Sequence, residues 1–438
     1  MAERYDVVVV GARCAGSALA THLAREGVSV ALIDRATFPS DTPSTHFFQA
    51  EGSACLGRLG VLDVVLKAGA PWLERLDVYF EGMRVSDRWY TLPTDPGPAL
   101  CVRRTVLDHA LVEAAAEAGA EVHTGSKVTG LVEEHGRVAG VRTVHGVRAT
   151  QAHAEFRAGL VVGADGMGST VARLVGARRY HAMPNERFGS WSYFEGATWE
   201  PPAAATLYRQ GDDFVFGMPT DSGLYLAAVV PGREHLADFR ADPEAGFAAH
   251  VAVSEPIAAA VASGKRAGRL HFVSEFPLYF RESAGPGWVL VGDAGHFKDP
   301  AGAQGISDAL RQAERLAPAI VAGTDEALAD WWAWRDRDAF EVHWFTADLG
   351  AAGRMSPVAI EMFQRLGSTS EGRRQFIDLL NHRLQPSQVL TPRRLLAASS
   401  RLFRDGRLSR RYVVGETARI VRNDLTRRRL RRRPRYEP

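Results

Sequence analysis

The sequence predicts an α/β fold in which parallel strands buried on both faces are split by antiparallel-sheet material and followed by a helical C-terminus. Three observations carry this. Short apolar runs without alternation occur at residues 5–10, 159–163 and 288–292, as expected of strands covered on both faces. Each run leads into a glycine-containing turn. Between them, residues 74–92 and 188–230 alternate and are rich in aromatics, the pattern of a sheet with one covered face.

Composition bounds the rest. The chain has 438 residues, 46% hydrophobic and 24% charged, enough for a buried core and two or three domains. No run of about 18 apolar residues predicts a membrane-spanning helix. The opening "MAERYDVVVV" has too short an apolar stretch for a signal peptide. Cys14, Cys55 and Cys101 form no paired spacing, which fits reduced thiols in the cytoplasm and neither a disulfide framework nor a metal site. Net charge is +2, unevenly placed: residues 419–438 carry nine arginines against Asp424 and Glu437, a net +7 that leaves −5 elsewhere. Such a tail reads first as a solvated terminus, with weak membrane-surface contact as the alternative; nucleic acid is not an expected partner.

In chain order, residues 5–10 form a buried strand, 14–26 a helix stopped by Gly27, and 28–34 a second strand ending on Asp34: one β-α-β unit. A helix is expected near 50–67, another over 104–118, and meander strands after it. Residues 176–270 read as antiparallel sheet. From 304 onward the pattern is helical, broken at Pro357 and Pro386. The segments 1–73, 97–175 and 271–385 therefore make the nucleotide-binding domain. Segments 74–96 and 176–270 make an inserted substrate domain, and 386–438 a helical C-terminal region with its basic tail.

The first turn, "VVVVGARCAGSALA", has Gly11 and Gly16 at the first and third positions of G-x-G-x-x-G. Gly11 permits the tight turn and Gly16 close packing of helix on strand, so that helix N–H groups face a pyrophosphate. Asp34 lies at the right distance to accept from a ribose hydroxyl. Arg13 stands where glycine is usual; a guanidinium there can pair with phosphate. Two further strand ends carry motifs: "GADGMGSTVARLVG", with Asp165 and Gly166 in the turn, and "GDAGHFKDPAGAQG", with Gly292, Asp293 and Pro300 before a helix beginning near Gly305.

These three motifs, in this order, resemble the FAD-dependent monooxygenases of the para-hydroxybenzoate hydroxylase class and the related geranylgeranyl-reductase-like flavoproteins. The resemblance covers roughly residues 4–345. It implies a FAD-binding Rossmann-like domain of the glutathione-reductase type. It implies FAD contacts at Gly11, Arg13, Cys14, Ala15 and Gly16, at Asp34 and Arg35, and at Val128, Asp165 and Gly166. On the third motif it implies Gly292, Asp293, Pro300, Gln304, Gly305 and Ile306. Arg104 in "CVRRTVLDHAL" matches the family's R-x-x-L pattern, with Arg103 as the fallback. The sequence departs from the family at Arg13, at Ala303 in place of glycine, and at Ser307 in place of asparagine.

The resemblance further implies NADPH or NADH as a transient electron donor, since no second G-x-G-x-x-G is present. It implies an enzyme that inserts one atom of O2 into a bulky aromatic or polycyclic molecule through a C4a-(hydro)peroxyflavin. The N-terminus of the helix near Gln304 would stabilise anionic reduced flavin. Phe48, Trp191, Tyr193, Phe214 and Phe216 are candidate substrate contacts, sheet core being the plain alternative. His46 and His296 are the candidate catalytic histidines, structural roles being the alternative. Three other readings stand beside this one: a prenyl-alkene reductase, a redox-neutral cyclase, and a flavin-binding scaffold without turnover. Trp332 and Trp334 echo the W-x-W of flavin-dependent halogenases, but the Ile-Pro that should follow is absent and the stretch reads as a helix packing its tryptophans.

Overall fold

The computed structural model describes residues 3–44, 46–146, 152–184 and 186–437. Its first sheet has a parallel core in the order Trp288–Leu290, Ala152–Gly163, Glu3–Val10, Val30–Ile33, Glu121–His123. The central strand is the valine run. Val7 and Val9 face one layer, with Leu19, Leu23, Leu107, Leu111, Leu310 and Leu316 from the helices Cys14–Arg25, Arg104–Glu117 and Gly305–Ala322. Val8 and Val10 face the other, against Val128, Val141, Phe156 and Val171. Both faces are dry, which is why the run does not alternate. The register pairs Val10 with Gly163 and Ile33, and Gly163 with Leu290, so the glycine turns emerge at one edge. In an open parallel sheet, ligands bind there.

The second sheet has seven strands in the order Lys265–Val273, Gly189–Glu195, Tyr225–Val229, Asp213–Pro219, Ala204–Gln210, Arg75–Phe80, Met83–Arg88. All pairs are antiparallel except Ala204–Gln210 with Arg75–Phe80. Its inner face carries Trp191, Tyr193, Phe214, Phe216 and Leu226.

Three expectations need correction. The sheet is covered on both faces, not one: helices Leu236–Ala241, Pro243–Val251 and Glu255–Ser263 lie on its outer side, burying Phe239, Phe247 and Ile257 against Val215, Tyr225 and Val229. The local cause is capping. The Asp242 side chain accepts from Ala245 N at 3.0 Å and Pro243 opens the helix it caps, turning an alanine-rich segment helical. The helix expected near 50–67 is two, Ala50–Leu59 and Leu62–Lys67, parted at Gly60 with φ +81°. The C-terminal helices also break at Gly323 and Gly406, both left-handed, and not only at the prolines.

Candidate cofactor and substrate cleft

A cleft of about 620 Å3 runs along the edge where the parallel strands end and under the inner face of the second sheet. At its nucleotide end, Gly11 donates its N–H to Ile33 O at 2.7 Å and adopts φ +104°. A Cβ there would come within 2.4 Å of the Ala164 carbonyl, and one on Gly16 within 1.7 Å of the Gly11 carbonyl. Only glycines let the helix tuck this closely under the strand end. The helix Cys14–Arg25 has no side chain capping its N-terminus, and Arg13, Cys14 and Ala15 line the cleft. Its first N–H groups and their partial positive charge are available to an anion. Asp34 accepts from Ala12 N and Ala36 N, each at 2.7 Å, so its carboxylate braces the turn while lining the cleft with Arg35 and Val128.

Arg13 solves the problem its size creates by pointing sideways. Its Nη1 lies 2.6 Å from Asp108 Oδ2, its Nη2 donates to Ser40 Oγ and the Asp41 carbonyl, and the group sits over the Phe38 ring. The guanidinium is engaged by protein acceptors and braces the turn while Arg13 lines the cleft. Arg104 Nε donates to the same carboxylate, at 2.9 Å from Asp108 Oδ1, and Arg104 lines the cleft. Arg103 turns away to Asp221, which accepts from its N, Nε and Nη2. Buried Asp108 thus holds two arginines at the cleft wall, a residue that sequence reasoning missed although it lies four residues after Arg104, the spacing of helix-face pairs.

The other two motifs complete this end. Asp165 accepts from Ser169 Oγ, Thr170 N and Val171 N, fixing the turn that carries Gly166. The Tyr279 hydroxyl donates to the Asp293 carbonyl at 2.6 Å and lies 3.2 Å from the Met167 carbonyl, bringing the second and third turns together. Asp293 lines the cleft, and burial pushes its carboxyl up to about 6. Further along, Pro300, Ala303, Gly305 and Ile306 line the wall where the helix Gly305–Ala322 begins, again without a side-chain cap. Ala303 holds φ +50°, a left-handed conformation that explains why glycine is usual there. The Gln304 side chain turns away from the cleft, donating to the Leu379 and Leu380 carbonyls and accepting from Lys298 Nζ.

At the far end, Trp191, Phe214 and Phe216 line the cleft. Phe214 and Ala303 also line an adjoining apolar cavity of about 110 Å3, with Phe47, Trp89, Leu207 and Phe376. Two expected substrate contacts are not among the lining residues. Phe48 is fully buried in the core of the first sheet's helical layer, because adjacent strand residues face opposite sides and it is Phe47 that faces the cavity. Tyr193 lies in the sheet core, its hydroxyl 2.7 Å from His46 Nε2. His46 is correspondingly out of the cleft, fully buried, and held down to about 3 by burial and by the nearby Arg104 charge. In this structure its ring serves Tyr193 and does not reach the cleft. His296 does line the cleft wall, packed on Phe280 and 3.4 Å from His343 Nδ1; burial and the neighbouring His343 hold it neutral. Trp332 and Trp334 lie on the helix Asp325–Gly350 outside the cleft, Trp332 donating to the Tyr180 hydroxyl at 2.9 Å.

The profile of the FAD-binding domain family matches residues 4–330, three quarters of the chain. The protein is a member of that FAD-binding family. This flavoprotein is 30% identical over 341 residues to 6-methylpretetramide 4-monooxygenase of Streptomyces rimosus, an alignment covering 73% of this chain and 75% of the relative. It is 29% identical to digeranylgeranylglycerophospholipid reductase of Methanocella arvoryzae, over 74% and 78% of the two chains. Among solved structures, a flavin-dependent brominase superposes with a TM-score of 0.77 at 20% identity, covering 92% of this chain and all of the other, and p-nitrophenol 4-monooxygenase from Pseudomonas putida with 0.70, covering 87% and 99%. The flavoprotein is thus an oxidoreductase of the monooxygenase, halogenase and reductase group. FAD fits its cleft on the structure's own terms: two uncapped helix N-termini open on it, and Gly11 and Gly16 let the first of them tuck against the strand ends, where an added Cβ would strike backbone.

Proposed function

We propose that this flavoprotein is a NAD(P)H- and O2-dependent monooxygenase that hydroxylates a bulky, ring-containing small molecule. The observation that supports it most is a pair of neighbouring compartments, a cofactor cleft and an apolar cavity that share Phe214 and Ala303 as lining residues. A cavity of about 150 Å3 holds one benzene ring. At about 110 Å3 this one takes the edge of a ring system, and the remainder lies in the cleft against Trp191 and Phe216. That arrangement suits a compact ring system better than a long polyprenyl chain.

In this reading FAD, when bound, would supply the redox chemistry: two electrons from NAD(P)H would reduce O2, one oxygen atom going to the substrate and the other leaving as water. The chain's own residues do the rest. The turn at Gly11–Gly16 and the Cys14–Arg25 helix bind the pyrophosphate, and Asp34 the ribose. Arg104, locked by Asp108, faces the cofactor, and Asp293 lies beside it as a carboxyl whose raised pKa lets it hold a proton near neutrality. The N-terminus of Gly305–Ala322 stabilises negative charge on the reduced ring system. Phe214, Phe216 and Trp191 exclude water from the reacting edge, which favours product over peroxide release. No lining histidine is positioned as a charged general acid, so proton movement falls to solvent and to the raised carboxyls of Asp293 and Asp299, both in the lining.

The test is NADPH oxidation by the FAD-loaded protein with polycyclic phenols, in air and under argon. Substrate-stimulated NADPH turnover that continues in air and stops under argon once the flavin is reduced supports the reading. Stoichiometric reduction of an alkene under argon would replace it with the reductase.

A further inference from the structure

Among the described residues, ten large hydrophobic side chains are exposed, and seven of them lie between residues 392 and 437: Leu396, Phe403, Tyr412, Val414, Val421, Leu425 and Tyr436. They are not scattered. Val414, Ala418, Val421 and Leu425 recur at the spacing of one helix face along Arg410–Arg432, and Leu396, Ser400 and Phe403 do so along Pro392–Asp405. The two stripes border a shallow, open, almost wholly apolar groove of about 680 Å3. Single exposed apolar residues need no explanation; a contiguous stripe on two helices does.

The hairpin is a fixed platform. Ser399 Oγ and Thr417 Oγ1 join its helices at 2.8 Å, and Leu395 and Ala398 pack on Val358 and Met362. Arg427 pairs with Asp348 at 2.6 Å and Arg401 with Glu361 at 3.2 Å, so the side opposite the stripe is docked on the body. The stripe therefore faces outward in a set plane.

Its surroundings are strongly basic. Residues 392–437 hold sixteen arginines against Asp405, Glu416, Asp424 and Glu437, a net +12, leaving −10 on the rest of the chain. Arg404 and Arg422 line the groove, and arginines continue past both ends of the longer stripe at 410–411 and 427–429. A second copy of the chain docking hairpin to hairpin would oppose +12 to +12. The groove has no deep pocket for the anchoring side chain that a folded partner usually supplies. A surface that is anionic everywhere and apolar just beneath matches both features, with long arginine side chains reaching back to the headgroups.

We propose that this hairpin is a docking surface for anionic lipid: the protein lies on a negatively charged bilayer, with Val414, Val421, Leu425, Leu396 and Phe403 at the acyl boundary. No described helix is long and apolar enough to cross a membrane, so the contact is interfacial. The experiment is co-sedimentation of the full FAD-loaded chain with phosphatidylcholine vesicles containing about 30% phosphatidylglycerol, at about 0.1 M and about 0.5 M salt. Binding is expected to the mixed vesicles and not to pure phosphatidylcholine, and to weaken about tenfold in Val421→Asp/Leu425→Asp with flavin content and melting temperature unchanged. These positions are exposed, so the variant leaves the core intact. Three results would each overturn the proposal: no binding to the mixed vesicles, equal binding by the variant, or a dimer in light scattering that the variant dissociates.

Discussion

The two ends of the cleft are built by different physics. At the nucleotide end, the binding groups are backbone: glycine turns and helix N-termini set within a few residues of a strand end. At the substrate end, the lining is side chain, drawn from Phe47, Trp89, Leu207, Phe214 and Phe376, segments separated by up to 329 positions in the chain. The first kind of site is specified locally and tolerates no added atom. The second is specified by tertiary packing and can be resized.

Substitutions at five positions separate these ends, in order of effect. Gly16→Val puts a side chain onto the Gly11 carbonyl and should yield protein without bound flavin, read from the visible absorbance of the purified material. A yellow Gly16→Val protein would break the contrast at its root. Phe48→Ala should cost about 3–5 kcal/mol of stability by chemical denaturation and leave KM unchanged in the folded enzyme. Phe47→Ala, one residue away, should alter KM. If the two exchange roles, the strand faces have been misassigned. Arg104→Ala should weaken FAD binding by about 10–100-fold in a fluorescence titration, from losing one charged hydrogen-bonded contact, with Arg104→Lys intermediate. Phe214→Ala should raise peroxide release and KM by about tenfold while FAD affinity stays unchanged, because Phe214 sits where the two compartments meet.

The smallest effect concerns pH. Asp293 titrates near 6 in the folded protein, above its ordinary 3.8. The folded state therefore holds this proton more tightly than the unfolded one. The stabilisation it gives is complete below the ordinary value and is lost as pH rises through about 6. The melting temperature of the FAD-free protein minus that of Asp293→Asn should fall between about pH 4 and pH 6 and then level off. A difference flat across that window would remove Asp293 from the proton-holding role.

The same contrast explains what could be read before folding. Gly11, Gly16, Asp165, Gly292 and Asp293 were legible because strand, turn and helix N-terminus are adjacent in sequence. Arg104 was legible as a motif, but its partner Asp108 and the sideways turn of Arg13 required knowing that the helix 104–117 packs beside the first turn. Phe48 and Phe47 show the limit most sharply. In a three-residue strand, a one-residue error in register exchanges core for cavity, and nothing local fixes that register. His46, a candidate catalytic residue by sequence, shows the same limit: its ring turns into the sheet to meet Tyr193. The helices at 236–263 were hidden by the aromatic alternation on either side, although Asp242-Pro243 is a helix start.

The central claim is that the cleft couples a FAD-bound electron pair to oxygen insertion in the adjoining apolar cavity. Turnover of the FAD-loaded protein with NADPH and a polycyclic phenol under 18O2 tests it most directly, by mass spectrometry of the product. The account predicts one labelled oxygen atom per product molecule and one NADPH consumed for each. Product carrying no label, or product formed equally well under argon, would contradict it.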